Sequence, residues 1–106
     1  MTEAYTDISG TRHFERALVL NPVLKSDRTR GDDDAALEEA VGLAKAIDLA
    51  VVQAMTLSLS RTVPATLLGE GQVEQCANLI KEQKIVIVIV NHTLTPVQQR
   101  NLEKAF

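Results

Sequence analysis

Residues 84–106 read KIVIVIVNHTLTPVQQRNLEKAF, and the fold is decided there. Ile85 to Val90 form an unbroken β-branched run. Such a run is the pattern of a central parallel strand covered on both faces. Thr95-Pro96 then starts a helix. Thr95 and Gln98 have capping-box spacing, and Pro96 falls at the first helical position, where a missing N–H costs nothing. Leu102, Ala105 and Phe106 are expected to face inward.

Working back from that strand, a helix is predicted from about Gln72 to Gln83, with Val73, Cys76, Ala77 and Ile80 on its inner face. Leu49 to Leu59 reads as a strand, its first half buried on both faces and its second, alternating half on one. Ala35 to Ile47 reads as another helix, with Leu37, Ala40, Val41, Ala44 and Ile47 on one face. Asp32, Asp33 and Asp34 stand at its positive end, where acids cap free N–H groups and favour the dipole. Ala17 to Leu20 is a short buried strand closed by Asn21-Pro22. Residues 23–31 read as an exposed loop, and residues 1–16 as a flexible leader. The order β-α-β-α-β-α predicts an α/β fold, a small parallel sheet with right-handed crossovers and flanking helices.

A chain of 106 residues, 45% hydrophobic and 24% charged, is one small folded domain. Its net charge of -3 argues against affinity built on phosphate neutralisation, which needs clustered Lys and Arg. The single cysteine excludes an internal disulfide and a cysteine-based zinc site. Residues 1–16 lack the apolar stretch of a signal peptide. A reducing, cytoplasmic setting fits these features.

Gly69-Glu70-Gly71 opens a helix, and paired glycines let backbone N–H groups approach an anion at a helix N-terminus. The same pair also serves as a plain loop-to-helix turn. Glu74 stands where a dinucleotide fingerprint has its third glycine, and no Walker A motif is present. Cys76 lies on an apolar helical stripe, as an inert buried thiol does. His13 belongs to the leader. His92 follows the third strand, where open α/β sheets gather ligands, though a surface histidine reads the same way. Lys25, Arg28 and Arg30 make a small basic cluster opposed by Asp27 and Asp32 to Asp34. A phosphoacceptor receiver domain also uses acids at strand ends. Here the acidic run stands too far from the first strand, and the third strand ends in Asn91.

Two segments carry a resemblance. Residues 64–74, PATLLGEGQVE, and residues 91–103, NHTLTPVQQRNLE, are similar in sequence and separation to signatures of the HflX family of translational GTPases. Gln72 stands where that family usually has lysine, and Asn91 where it usually has aspartate. Both differences remove a charge. The resemblance spans Ala17 to Phe106. It implies an N-terminal α/β domain of a protein that continues into a helical hairpin and a Ras-like G domain holding GTP and magnesium. It further implies action on the large ribosomal subunit, in splitting or rescue.

On that resemblance the domain holds three of four strands, with the last strand and the G domain missing. The fragment itself then has no catalytic residue, metal or cofactor. Gly69, Gly71 and Gln72 are the nucleotide- or RNA-contact candidates, followed by Asn91, His92 and Arg100. An outer edge left open on the last strand would favour a homodimer. The alternative reading is a small nucleotide-binding enzyme domain using the Gly69–Gly71 turn and His92.

Overall fold

The strand from Arg16 to Leu24, here β1, lies in the middle of a three-stranded parallel sheet. The structure, a computed structural model, describes residues 5–6, 12–13, 15–27 and 30–106. Strand β2 (Ala50–Leu59) pairs with one edge of β1 and β3 (Ile87–Val90) with the other. Helices α1 (Arg30–Ala46), α2 (Glu70–Gln83) and α3 (Pro96–Ala105) follow the three strands in turn. The α/β class and the alternating order agree with the sequence pattern. Most of the leader lies outside the described residues; Tyr5–Thr6 and Arg12–His13 pair antiparallel.

The sheet divides the core in two. Leu18, Leu20, Leu57, Leu59, Leu67, Leu68, Cys76, Ile85 and Leu102 are buried together on the face covered by α2 and α3. Ala17, Val19, Ala40, Ala44 and Leu49 are buried on the other face, under α1. Ala17 to Leu20 are wholly buried, each residue feeding the opposite face from its neighbour. A register shift between Ala17 and Leu18, against Val51 and Gln53, inserts one residue into β2. This bulge changes which β2 residues face α1: Val51 and Ala54 pack there, and Val52 and Met55 pack on the other side.

Several expectations are corrected. The central strand is β1, and the Ile85–Val90 run supplies an edge strand. Four apolar residues in β1 suffice for the centre because both their edges and both their faces are occupied. Nor does Asn21-Pro22 close β1, which runs on to Leu24. The carbonyls of Arg16 and Leu20 accept from Val86 and Asn91, so even-numbered residues of β1 turn their backbone towards β3. The N–H that Pro22 lacks would therefore point past Val90, the last paired residue of β3, where no bond is lost.

Helix α1 starts at Arg30, and a 3₁₀ turn at Lys25–Asp27 precedes it. Asp32 and Asp33 thus lie inside its first turn, where the dipole still favours them. Ile47 lies past the helix end and is 45% exposed. The first half of β2 is only half-buried, as befits an edge; its fully buried residues are Leu57 and Leu59. Ala105 is exposed. Arg16 belongs to β1, and its Nε donates to the Gln83 carbonyl at the C-terminal end of α2.

Leu18→Ala should therefore cost about 2–5 kcal/mol, and Leu43→Ala on the exposed face of α1 less than about 0.5 kcal/mol. Urea unfolding of both variants checks this; equal losses would contradict the central placement of β1.

Candidate functional site

The two segments singled out by sequence meet at one end of the sheet. Between β2 and α2 the chain makes a tight turn at Val63–Leu67. The Leu67 N–H donates to the Val63 carbonyl at 2.7 Å, and the Val63 N–H returns to the Leu67 carbonyl at 3.1 Å. Leu67 has a φ of 70°, a left-handed conformation that costs a non-glycine residue roughly 1–2 kcal/mol. Its side chain is 2% exposed, and that of Leu68 is wholly buried. Burial of these two side chains offsets the local strain.

Helix α3 holds this turn from the side. Thr95 and Gln98 form the expected reciprocal cap: the Gln98 N–H donates to Thr95 Oγ1 at 3.1 Å, and the Thr95 N–H to Gln98 Oε1 at 2.9 Å. The cap leaves Gln98 Nε2 free to donate to the Val63 carbonyl at 3.3 Å. One turn on, Asn101 Nδ2 donates to the Ala65 carbonyl at 2.9 Å. Thr66 Oγ1 donates to the Leu68 carbonyl at 2.7 Å.

Helix α2 begins beside the turn, with Gly69 at its N-cap. Gln72 Oε1 accepts from the Gly69 N–H at 3.1 Å, and its Nε2 donates to the Ser58 carbonyl at 2.8 Å. One side chain thus ties the helix start to the end of β2. A hollow of about 390 Å³ opens here, lined by Leu59, Ser60, Arg61, Val63, Gly69, Glu70 and Gln72. Gly69 has an ordinary φ of -64°. A Cβ on it would meet Gln72 Oε1 at an unstrained 3.6 Å, and one on Gly71 would meet nothing. Arg61 and the helix N-terminus bring positive potential to this hollow, and Glu70 brings negative.

A second polar cluster sits where the strand order reverses, between β1 and β3 at their C-terminal ends. Open α/β sheets have their binding crevice at this position. Asn21, 3% exposed, is its centre. Its Nδ2 donates to the Asp33 carbonyl at 3.2 Å and to Thr56 Oγ1 at 3.3 Å, and its Oδ1 accepts from Asn91 Nδ2 at 3.1 Å. One amide thereby links all three strands and the first turn of α1. His92 is exposed, with Nδ1 2.9 Å from the Thr93 carbonyl.

Gly69, Gly71 and Gln72 thus stand together at the start of α2, and Asn91 and His92 belong to the other cluster. Arg100 lies exposed on α3. Arg28 is outside the described residues, and Lys25 is exposed on the 3₁₀ turn. Sequence reasoning missed Asn21, Gln98 and Asn101 as organisers. The available signal for Asn21 was a polar residue interrupting a buried apolar strand. Among the described residues, no group of three His, Cys, Asp or Glu side chains is placed to hold a metal ion. Cys76 is wholly buried, and burial pushes its thiol pKa up.

The match with known proteins coincides with this architecture. The family model described as GTP-binding GTPase N-terminal matches residues 34–106. The chain belongs to the HflX-family GTPase N-terminal domains. It is 46% identical over 90 residues to the GTPase HflX of Magnetococcus marinus, across 85% of this chain and 21% of that protein. It is 28% identical over 90 residues to the GTPase HflX of Escherichia coli, across 85% of this chain and 20% of that one. A 50-residue stretch is 44% identical to the GTPase HflX of Methanocaldococcus jannaschii, covering 47% of this chain and 12% of the relative. The chain spans about a fifth of the length of the first and second of these relatives.

Gln98→Ala should cost about 1–3 kcal/mol by removing a helix cap and a bond to the turn together. Faster amide exchange at Leu67 than in the parent chain would confirm that α3 holds the turn; unchanged exchange would refute it. Cys76 gives a pH dependence. A thiol whose pKa is raised by folding contributes nothing to the slope while it is protonated in both states. The unfolded chain then loses its proton first, so stability falls as pH rises above about 8.5. Thermal melts from pH 7 to 10 should show a steeper fall in the parent than in Cys76→Ala.

Proposed function

We propose that this domain is the ribosome-binding and regulatory module of an HflX-type GTP-binding protein acting on the large ribosomal subunit in splitting or rescue. The observation that carries this reading is the joining of the two HflX-like segments, residues 64–74 and 91–103, by the Asn101 bond to Ala65, with Gln98 fastening the adjoining Val63. This arrangement presents Arg61, Pro64 and Ala65 on an exposed turn and Arg100 on the exposed side of α3. Its backbone is fixed from both sides, which suits a surface that must meet a rigid partner without large ordering losses.

The GTPase activity belongs to the whole protein: the relatives are named GTPases, and GTP with magnesium resides in their G domain under this reading. The domain by itself turns over no nucleotide, works in the cytoplasm, and positions the G domain through its contacts. Residues 17–106 form the folded unit. Among the described residues, no helix is long and apolar enough to cross a membrane. Direct contacts of Gly69 and Gln72 with RNA or nucleotide rest on their place in the hollow at the start of α2, and a contact of Gly71 on its place in the first turn of the same helix. A nucleotide-dependent enzyme is the weaker reading, because Gln72 occupies the Gly69 N–H and Glu70 stands at the mouth of that hollow.

Co-sedimentation of the domain with purified large ribosomal subunits, without nucleotide and across a salt series, tests the proposal. Binding that weakens with salt is the expected result. Failure to bind at low salt would remove the ribosome-contact role from this domain. In parallel, saturating ATP or GTP should leave its melting temperature unchanged. A site filled at 100 times its dissociation constant would add about 2.7 kcal/mol and favour the enzyme reading.

A further inference from the structure

Gln98 and Asn101 lie three positions apart on one face of α3, and each gives a side-chain N–H to a carbonyl of the Val63–Leu67 turn. We propose that these two amides are positioning residues for the surface of Arg61, Pro64 and Ala65, holding the turn in the shape that meets its partner. This role is separable from the stability of α3, and it rests on the reading of the turn as a ribosome-contacting surface.

The separation follows from the chemistry of an amide. At N3 of a helix, glutamine and glutamate both complete a capping box, because the cap needs only an acceptor for the N-cap N–H. Gln98 Oε1 meets that need, 2.9 Å from the Thr95 nitrogen. A carboxylate would do the same and would also be favoured by the helix dipole. What an ionised carboxylate lacks is a donor. Gln98 Nε2 donates to the Val63 carbonyl at 3.3 Å, and an acid there would set oxygen against oxygen. Gln98 is 8% exposed, so little water can enter to bridge them. The helix alone would accept either residue; the turn requires the amide. Asn101 gives the same sign. It stands mid-helix, where asparagine is a poor helix former, and its Nδ2 donates to the Ala65 carbonyl at 2.9 Å.

The turn is built to need this hold. The Val63 carbonyl accepts from the Leu67 N–H at 2.7 Å and the Thr66 N–H at 3.3 Å as well as from Gln98. Closing that loop keeps Leu67 at a φ of 70°, a conformation costly to leucine. Arg61, Pro64 and Ala65 are exposed, so their direction follows the backbone of the turn. A released turn would have to be ordered on binding, and that loss would appear as weaker affinity.

Gln98→Glu and Gln99→Glu test this. They make the same change, with the same added charge, at adjacent positions. Gln99 is exposed and bonds to Glu103 on its own helix. Amide exchange followed by NMR reads the turn, and co-sedimentation with purified large ribosomal subunits at low salt reads binding. In Gln98→Glu, exchange at Leu67 should rise by about ten-fold or more, the scale of one buried hydrogen bond lost. Exchange at Gln99, whose N–H donates to the Thr95 carbonyl in the first turn of α3, should stay within about two-fold of the parent, since the cap is kept. Subunit binding should weaken by about five-fold or more. Gln99→Glu should leave Leu67 exchange and binding near parent values. Asn101→Asp, at a half-buried position, should also release the turn and weaken binding. Unchanged Leu67 exchange in both Gln98→Glu and Asn101→Asp overturns the proposal. So does an equal rise at Gln99 and Leu67, which would make Gln98 a stabiliser of the helix alone. A released turn with unchanged binding, or an equal loss of binding from Gln98→Glu and Gln99→Glu, overturns the recognition role. If the parent itself fails to sediment, the ribosome reading falls with that role, and the exchange comparison decides separately whether the amides position the turn.

Discussion

Strand β1 is hydrogen-bonded along both edges and covered on both faces, and every other element takes its position from it. Ala17 and Val19 supply the floor for α1, and Leu18 and Leu20 the floor for α2 and α3. The two sides differ in kind. Under α1 the buried residues are mostly alanines and valine, so the helix approaches closely with little volume between. Under α2 and α3 they are mostly leucines, joined by Leu67 and Leu68 from the turn. The larger half of the core therefore depends on a turn that is itself strained at Leu67, and the clamp from α3 matters for that reason. Burial of leucine fixes the turn's depth, and amide bonds from Gln98 and Asn101 fix its shape.

Much of this architecture was legible in the sequence. Apolar periodicity and capping signals placed the three helices, and alternating or β-branched runs placed the second and third strands. The cap at Thr95-Pro96 was legible to the residue, since it is a local arrangement of side chain and backbone within four positions. Strand order was not. Length and hydrophobicity pointed to Ile85–Val90 as the centre, but those properties record what a strand could bury and carry nothing about which neighbours it receives. The run through Pro22 was hidden for a related reason. Proline forbids one hydrogen bond on one side, and whether that bond is needed depends on where the neighbouring strand stops.

The site was legible as two segments and not as one object. Gln98 reads in sequence as a helix cap, and it is one; its second bond, to the Val63 carbonyl, crosses 35 positions of chain and leaves no periodic trace. Asn21 reads as a strand terminator because asparagine beside proline usually is. Its amide instead satisfies four elements at once inside an apolar strand, a role that depends on Thr56, Asp33 and Asn91 arriving from elsewhere.

Gln72 and Asn91, which the resemblance sets against a lysine and an aspartate, make sense as a pair. Gln72 uses both ends of its amide, accepting from the Gly69 N–H and donating to the Ser58 carbonyl. A lysine at this position could donate to the carbonyl but could not accept, so it would leave the Gly69 N–H open to an anion. At Asn91 the amide donates to Asn21 Oδ1, leaving the Asn21 Nδ2 for Asp33 and Thr56. An aspartate has only acceptors when ionised and would claim that Nδ2, breaking the link to α1 or β2. Both amides therefore close a polar position by neutral hydrogen bonding where a charged residue would leave one group available to a ligand. With a net charge of -3, the recognition proposed for this domain would rest on the shape of a fixed turn and a few cations around it. Contact of that kind depends less steeply on salt than binding through many neutralised phosphates.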